Sequence, residues 1–282
     1  MQIAIASGKG GTGKTTISVV LAAYLASQKE RVNILDCDVE EPNVNLFLKF
    51  SPDKKEAVFS VVPEVNLDKC DSCGRCSQIC NFSAIVSIKD KPLVLSEMCH
   101  ACGGCFLVCS SGALTKKKKE IGFREEAFQG QINYYGGKLK IGEAMSPPLI
   151  KAVKEKISLG FNLLDSPPGT SCPAIEAIGG SDYVILVTEP TPFGLHDLKL
   201  AVEMVRALKI DFGVLINRSD LGDDRVVKFC QQEKINILAS IPNSRKIAES
   251  YSKGELVDIF LEEYQSDLKK IVQYLKILEN KE

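Results

Sequence analysis

The sequence has no surplus of either charge. Against 36 Asp+Glu stand 35 Lys+Arg, a formal charge of -1 over 282 residues. That leaves neither a basic face for steering onto nucleic acid nor an acidic tail. Long apolar runs are missing too, and a stretch such as YVILV at 183–187 is far too short to span a bilayer. The opening MQIAIASGKG has no charged n-region before its short apolar run, so it does not read as a secretory signal. A cytoplasmic, reducing setting is expected. Histidine is scarce, with 2 in the chain. His100 follows a cysteine and His196 begins a helical stretch, so neither suggests nucleophilic or zinc chemistry. Cysteine is the exception: there are 11, and eight lie between Cys70 and Cys109. In a reducing compartment such crowding reads as metal ligation rather than disulfides.

Apolar patterning sets the architecture. A β-prone run Gln2 to Ala6, a Gly-rich turn, a periodic apolar stretch Thr16 to Ala26 and a second run Arg31 to Leu35 predict a βαβ unit. Phe161 to Leu164, Tyr183 to Val187 and Phe212 to Ile216 read as further buried parallel strands, with a helix at Leu195 to Leu208 among them. A strand at Ile237 to Ile241 and a helical tail from Leu256 to Glu279 complete the pattern. The expected class is α/β, a mostly parallel sheet flanked by helices. Between residues 63 and 113, small residues, polar residues and cysteines replace the apolar runs. This predicts a small inserted α+β module projecting from the sheet edge, in a discontinuous host of residues 1–62 and 114–282. Within it Cys70, Cys73, Cys76 and Cys80 recur as Cys99, Cys102, Cys105 and Cys109, each 29 positions later. A constant interval marks an internal duplication.

Gly8-Lys9-Gly10-Gly11-Thr12-Gly13-Lys14-Thr15 satisfies G-x-x-x-x-G-K-S/T directly between an expected strand and an expected helix. Glycine lets the backbone wrap closely around phosphate and aim its N–H groups inward, and the helix start adds partial positive charge. Lys14 would reach the β- and γ-phosphates and Thr15 would hold Mg²⁺. With Thr16, the loop from Gly8 supplies the expected nucleotide-binding residues.

With Lys9 beside Gly10 and Gly11, KGGTGKT resembles the deviant Walker A signature of the MinD/ParA/Mrp superfamily of P-loop ATPases. Asp36-Cys37-Asp38 is similar to that family's switch I acids, and LLDSPPGT at 163–170 to its switch II. VTEPTPFGLHDL at 187–198 is similar to a segment of Mrp-like members, and Asn217-Arg218 to the adenine-contacting position. The resemblance covers almost the whole chain outside the insert. It implies ATP hydrolysis, with Asp165 binding Mg²⁺ through water, Asp36 supporting that shell, Asp38 orienting the attacking water and the Gly169 N–H sensing γ-phosphate. Lys9 would cross to the other subunit of an ATP-bridged homodimer and neutralise charge there, so that Lys9, Lys14 and Asp38 carry the catalysis.

Each cysteine set follows C-x2-C-x2-C-x3-C, similar to the run of bacterial two-cluster ferredoxins. Three thiolates on a tight loop cap three corners of a cubane, and Gly74, Gly103 and Gly104 let backbone N–H groups approach. The fourth cysteine faces the other cluster. Cys70, Cys73, Cys76 and Cys109 would therefore hold one 4Fe–4S cluster, and Cys99, Cys102, Cys105 and Cys80 the second. Structural zinc sites space two cysteine pairs widely, unlike four at 2-2-3. The run departs from the ferredoxin pattern where Asn81 and Ser110 replace the proline after each fourth cysteine.

Of the other thiols, Cys37 and Cys230 read as buried small hydrophobes. Cys172 follows Asp165 by seven residues, as a cluster-bridging cysteine does in the nitrogenase iron protein, a related ATPase. That protein's second ligand has no counterpart, because Gly137 holds the equivalent offset. Lys116 to Lys119 read as a solvated strand or linker, with a docking patch as the second reading. Glu262, Glu263 and Asp267 among the lysines of the tail favour packing on the host over lying on a membrane.

The expected protein is a homodimerising Mg-ATP-dependent ATPase whose nucleotide state gates electron transfer through two closed 4Fe–4S clusters. Its partner would be an unidentified redox or metallocofactor-maturation protein, with neither nucleic acid nor membrane expected. One alternative is an Mrp-like iron–sulfur cluster carrier, against which the absence of that group's C-terminal C-x-x-C counts, since Cys230 stands alone. The other is a MinD- or ParA-like positioning ATPase with redox-sensing clusters, disfavoured by the lack of a basic surplus and a membrane helix.

Overall fold

A computed structural model describes residues 1–52 and 54–279. β1 (Gln2–Ala6), α1 (Lys14–Ser27), β2 (Val32–Asp36) and a short α2 (Val44–Phe47) come first. β3 (Lys54–Val65) leads into the cysteine-rich stretch, which holds α3 (Arg75–Ile79), β4 (Ile85–Ile88), β5 (Lys91–Val94) and α4 (Gly104–Val108). The chain returns through β6 (Leu114–Gln129) and β7 (Ile132–Leu139). Then follow α5 (Pro147–Lys154), β8 (Phe161–Asp165), α6 (Cys172–Ile178), β9 (Tyr183–Thr188), α7 (Pro192–Ala207), β10 (Asp211–Asn217), α8 (Arg225–Gln232), β11 (Ile237–Ile241), α9 (Arg245–Lys253) and α10 (Leu256–Glu279).

Nine strands form one sheet in the order β11-β10-β9-β1-β8-β2-β7-β6-β3. From β11 to β7 every pairing is parallel, and β6 and β3 extend the sheet by antiparallel pairing. The central strands are buried along their length because helices cover both faces, which is why they appear as unbroken apolar runs. On one face Ile17, Leu21 and Leu25 of α1 pack with Leu268, Ile271 and Leu275 of α10. On the other, Leu149 and Val153 of α5, Ile178 of α6, Leu198 and Val205 of α7 and Val226 of α8 form the second layer. The tail helix thus packs on the host, as its mixed charges suggest, and it bends at Tyr264. Among the described residues, no helix is long and apolar enough to cross a membrane.

The long strands β3, β6 and β7 carry no such apolar signal. β3 and β6 pair from Lys54↔Glu126 to Val65↔Leu114, so the ribbon continues through residue 63, where the composition changes. The four lysines at 116–119 lie inside β6, and strand alternation separates them. Lys117 and Lys119 form ion pairs with Glu64 at 2.9 Å and Glu143 at 2.7 Å. Lys116 and Lys118 lie over the rings of Phe106 and Phe59. The run therefore lies in a strand rather than a linker.

The sequence duplication at 70–109 has a backbone counterpart. α3 and α4 begin 29 residues apart. Positive φ recurs at Ser72 and Ala101, at Gly74 and Gly103, and at Ser83 and Gly112. β4 and β5 form a hairpin turned by Lys89 and Asp90, both at positive φ, as a two-residue turn requires.

Candidate functional site

The loop after β1 leads into α1 at the carboxyl ends of the parallel strands, where β1 lies between β8 and β9. Open α/β sheets bind ligands at such crossings. Gly13 is held at φ +97, and a Cβ there would lie 2.5 Å from Nδ2 of Asn217. That amide donates to the Thr12 carbonyl at 2.8 Å, so Asn217 on β10 fastens the loop. Lys14 is buried, and its ammonium makes no hydrogen bond or ion pair among the described residues. Burial lowers its pKa, opposed by Asp165 and Asp38. A buried ammonium and the buried, unpartnered Thr12 hydroxyl fit a polyphosphate, which supplies the acceptors both lack.

β2 and β8 are adjacent and in register, with Asp36 opposite Asp165. Asp36 accepts N–H bonds from Asp38 at 3.2 Å, Asn43 at 2.9 Å and Val44 at 3.0 Å, so its carboxylate shapes the loop after β2. Asp165 accepts from the hydroxyls of Thr15 at 2.7 Å and Ser18 at 2.8 Å. Burial, then the charge of Asp165, pushes Asp36 well above the ordinary carboxylate value. Asp165 is raised by burial against the pull of Thr15, Ser18 and Lys14. For Asp38, burial and then Asp165 push the pKa up to about 6. Asp165 beside the Thr15 hydroxyl offers oxygen donors of the kind Mg²⁺ takes. Ser18 was absent from the sequence reading, although a polar residue three after Thr15 on a largely apolar helix is its visible trace.

A cavity of about 550 Å³ extends from Gly10, Gly11, Lys14, Thr15 and Thr16 past Asp38 to Asn217 and Arg218. Its far wall is apolar and aromatic, formed by Phe47, Ile247, Tyr251, Phe260 and Tyr264. This suits a flat base at the end of a phosphate chain. Gly8 backs onto α7, since a Cβ there would meet the Asp197 carbonyl at 2.1 Å. The Gly169 N–H donates to the Ser7 carbonyl at 3.0 Å. Lys9 lies 3.3 Å from Glu189, and the other oxygen of Glu189 accepts from Arg218. Glu189 is a second residue the sequence reading passed over, inside a segment quoted only for its resemblance.

The eight clustered cysteines line two small cavities. Cys70, Cys73, Cys76 and Cys109 face the first, and Cys80, Cys99, Cys102 and Cys105 the second. Among the described residues, no group of three or more His, Cys, Asp or Glu is gathered as for a metal ion. Burial opposes ionisation of Cys80 and Cys109, but following backbone N–H groups, with the Ser111 hydroxyl for Cys109, bring both thiols below the ordinary value. Phe82 stacks on His100 at 3.5 Å beside the second cavity. Cys37 and Cys230 are buried, and burial raises both thiols, Cys230 to about 11. Cys172 is exposed at the start of α6.

A profile of the CobQ/CobB/MinD/ParA nucleotide binding domain matches residues 3–257. The chain belongs to this family, whose members are nucleotide-binding ATPases. An uncharacterised protein of Methanocaldococcus jannaschii is 38% identical over 228 residues, covering 79% of this chain and 80% of that protein. An iron-sulfur cluster carrier protein of Pyrococcus horikoshii is 26% identical over 304 residues, covering 99% and 86%. The cell division ATPase MinD of Pyrococcus furiosus has a similar fold, with a TM-score of 0.58, 20% identity and 98% of each chain covered.

Proposed function

We propose that the chain couples an ATP-bridged homodimer to electron transfer through two 4Fe–4S clusters held in residues 63–113. The observation that carries this reading is the crossed lining of the two cysteine cavities, three thiols from one repeat and one from the other. Four cubane thiolates bind four different irons and stand further apart than the ligands of one ion, which accords with two separate four-cysteine cavities and no single-ion group. Cys70, Cys73, Cys76 and Cys109 would hold one cluster, and Cys99, Cys102, Cys105 and Cys80 the other. When bound, such clusters accept and donate single electrons. With four protein thiolates each they are closed, built to be kept rather than handed on.

In the ATPase half, Lys14 neutralises the β- and γ-phosphates and the loop from Gly8 to Thr16 cradles them. Thr15 and Asp165 would hold Mg²⁺, which offsets charge on the phosphates, while Asp36 fixes the loop that carries Asp38. Asp38 orients the attacking water, and its carboxylate, with a pKa of about 6, can accept that water's proton near neutral pH. The Gly169 N–H exchanges the Ser7 carbonyl for a γ-phosphate oxygen. Lys9 reaches the phosphates of the partner subunit, and Asn217 and Arg218 border the base. The names of distant relatives favour a second reading, a cluster carrier. It predicts that clusters move to an acceptor apoprotein, which closed ligation resists.

Anaerobically purified protein should be brown and carry about eight iron per chain, two cubanes of four. Zinc in place of iron, with no visible absorbance, would overturn the cluster reading. Lys9→Ala and Asp38→Ala should abolish hydrolysis with iron content intact, and loss of iron in both would overturn the division of labour. Rapid cluster transfer to an apoprotein would replace the electron-transfer reading by the carrier reading.

A further inference from the structure

Lys9 is already engaged within its own chain. Its Nζ lies 3.3 Å from one oxygen of Glu189, whose other oxygen accepts from Arg218 Nη1 at 2.5 Å. Glu189 follows the last residue of β9 and is 9% exposed. Its backbone is fixed from both sides. The Thr191 N–H donates to the Glu189 carbonyl at 2.8 Å, and Gly194 packs so closely that a Cβ would lie 2.2 Å from that oxygen. The carboxylate therefore keeps its place when the lysine moves. Arg218 is also tethered, because it follows Asn217, which fastens the phosphate loop through Thr12.

We infer that Glu189 is a positioning residue that parks Lys9 on its own subunit and sets how readily the lysine is released to the partner. This rests on the reading that Lys9 acts across the dimer. While paired, the ammonium is neutralised within its own subunit. A partner's polyphosphate carries more charge than one carboxylate and draws the lysine away once two subunits face each other. Arg218 makes that exchange reversible. After Lys9 departs, Glu189 still has a cation on its other oxygen, so no buried carboxylate is left unpaired. A monomer with bound ATP is held idle, and only the dimer frees the lysine.

Opposite effects of two substitutions test the arrangement in the full chain. Glu189→Gln removes the hold on Lys9 and should lower the ATP concentration for half-maximal dimerisation by about fivefold, the scale of one partly exposed ion pair. Arg218→Ala leaves Glu189 with Lys9 as sole counter-ion and should raise that concentration, after correction for ADP affinity measured separately. Both effects should vanish in a Lys9→Ala background. A shift of the same sign in both variants, or shifts that persist without Lys9, would overturn the inference, since a merely structural role moves both alike. The unsubstituted protein offers an independent reading. Without nucleotide, Lys9 should react more slowly with a neutral acylating reagent than exposed Lys29, as read by mass spectrometry, and the rates should converge in Glu189→Gln. Equal rates in the unsubstituted protein would also overturn it. If Lys9→Ala still forms the ATP dimer and hydrolyses normally, the cross-subunit reading fails. If Lys9 is required but Glu189→Gln changes nothing, only the parking role fails.

Discussion

Asp36 and Asp165 face each other as register partners at the ends of β2 and β8, both buried. Neither has a cation within ion-pair distance among the described residues; each is held by hydrogen-bond donors, backbone N–H groups for Asp36 and the hydroxyls of α1 for Asp165. Burial raises both pKa values, and the charge of Asp165 adds to the rise at Asp36 and at nearby Asp38. The site is thus electrostatically stressed without nucleotide, and a cation brought among the acids relieves the stress.

The stress has a pH signature. Burial and the charge of Asp165 raise Asp38 in the folded state to about 6, above the ordinary aspartate value of 3.8. Between those values the folded state binds more protons than the unfolded state, so this group's contribution to stability falls as pH rises. The penalty is complete above the folded pKa and absent below the unfolded one. Nucleotide-free Asp38→Asn should melt higher than the parent at pH 7, and the gap should close toward pH 4. A gap that is constant with pH would refute the assignment.

Ser18 gives Asp165 its second hydroxyl. Ser18→Ala removes a buried hydrogen bond to a carboxylate and should cost about 1.5–3 kcal/mol where the acid is ionised. The concentration of Mg²⁺ needed for ATP binding should rise with it. Calorimetric titration at varied Mg²⁺ measures the second effect, and parent-like titrations would remove Ser18 from the site.

The crossed lining makes a prediction about pairs of cysteines. Cys109→Ala should lose the cluster of Cys70, Cys73 and Cys76 while sparing that of Cys99, Cys102 and Cys105, although Cys109 adjoins the latter in sequence. Iron should fall to about half, one cubane remaining. Paramagnetic resonance of the reduced variant distinguishes this from loss of the sequence-local cluster when Cys80→Ala is compared.

Lys154, on α5, donates to the carbonyls of Glu176 and Gly179 at 2.6 Å each, capping the carboxyl end of α6. Burial lowers its pKa. Lys154→Met should cost about 1–2 kcal/mol through lost charge-assisted bonds and lost cation placement at the helix end. Chemical denaturation checks this, and a change below 0.5 kcal/mol would show the cap to be dispensable.

The P-loop, the parallel core and the tail helix were legible because each joins an apolar period to a clear boundary residue, such as Gly13 before α1 or Asp165 at the end of β8. The duplication was legible from cysteine spacing alone. β3, β6 and β7 were not, since KKEAVFSVVPEV and LTKKKKEIGFREEAFQ place charges where their faces meet solvent, and long-range pairing supplies what patterning does not. Ser18 and Glu189 were missed for a related reason. Their importance lies in partners 147 and 180 positions away along the chain, and local sequence carries no record of those distances.

The pairing of Val32 with Ile132 bears on how the chain folds. β2 cannot gain its β7 neighbour until the stretch between them, with the whole cysteine module, has been gathered into a loop. Closing so long a loop is entropically unfavourable and slow. Any event that compacts the module brings the ends of that loop together and should speed completion of the ATPase sheet.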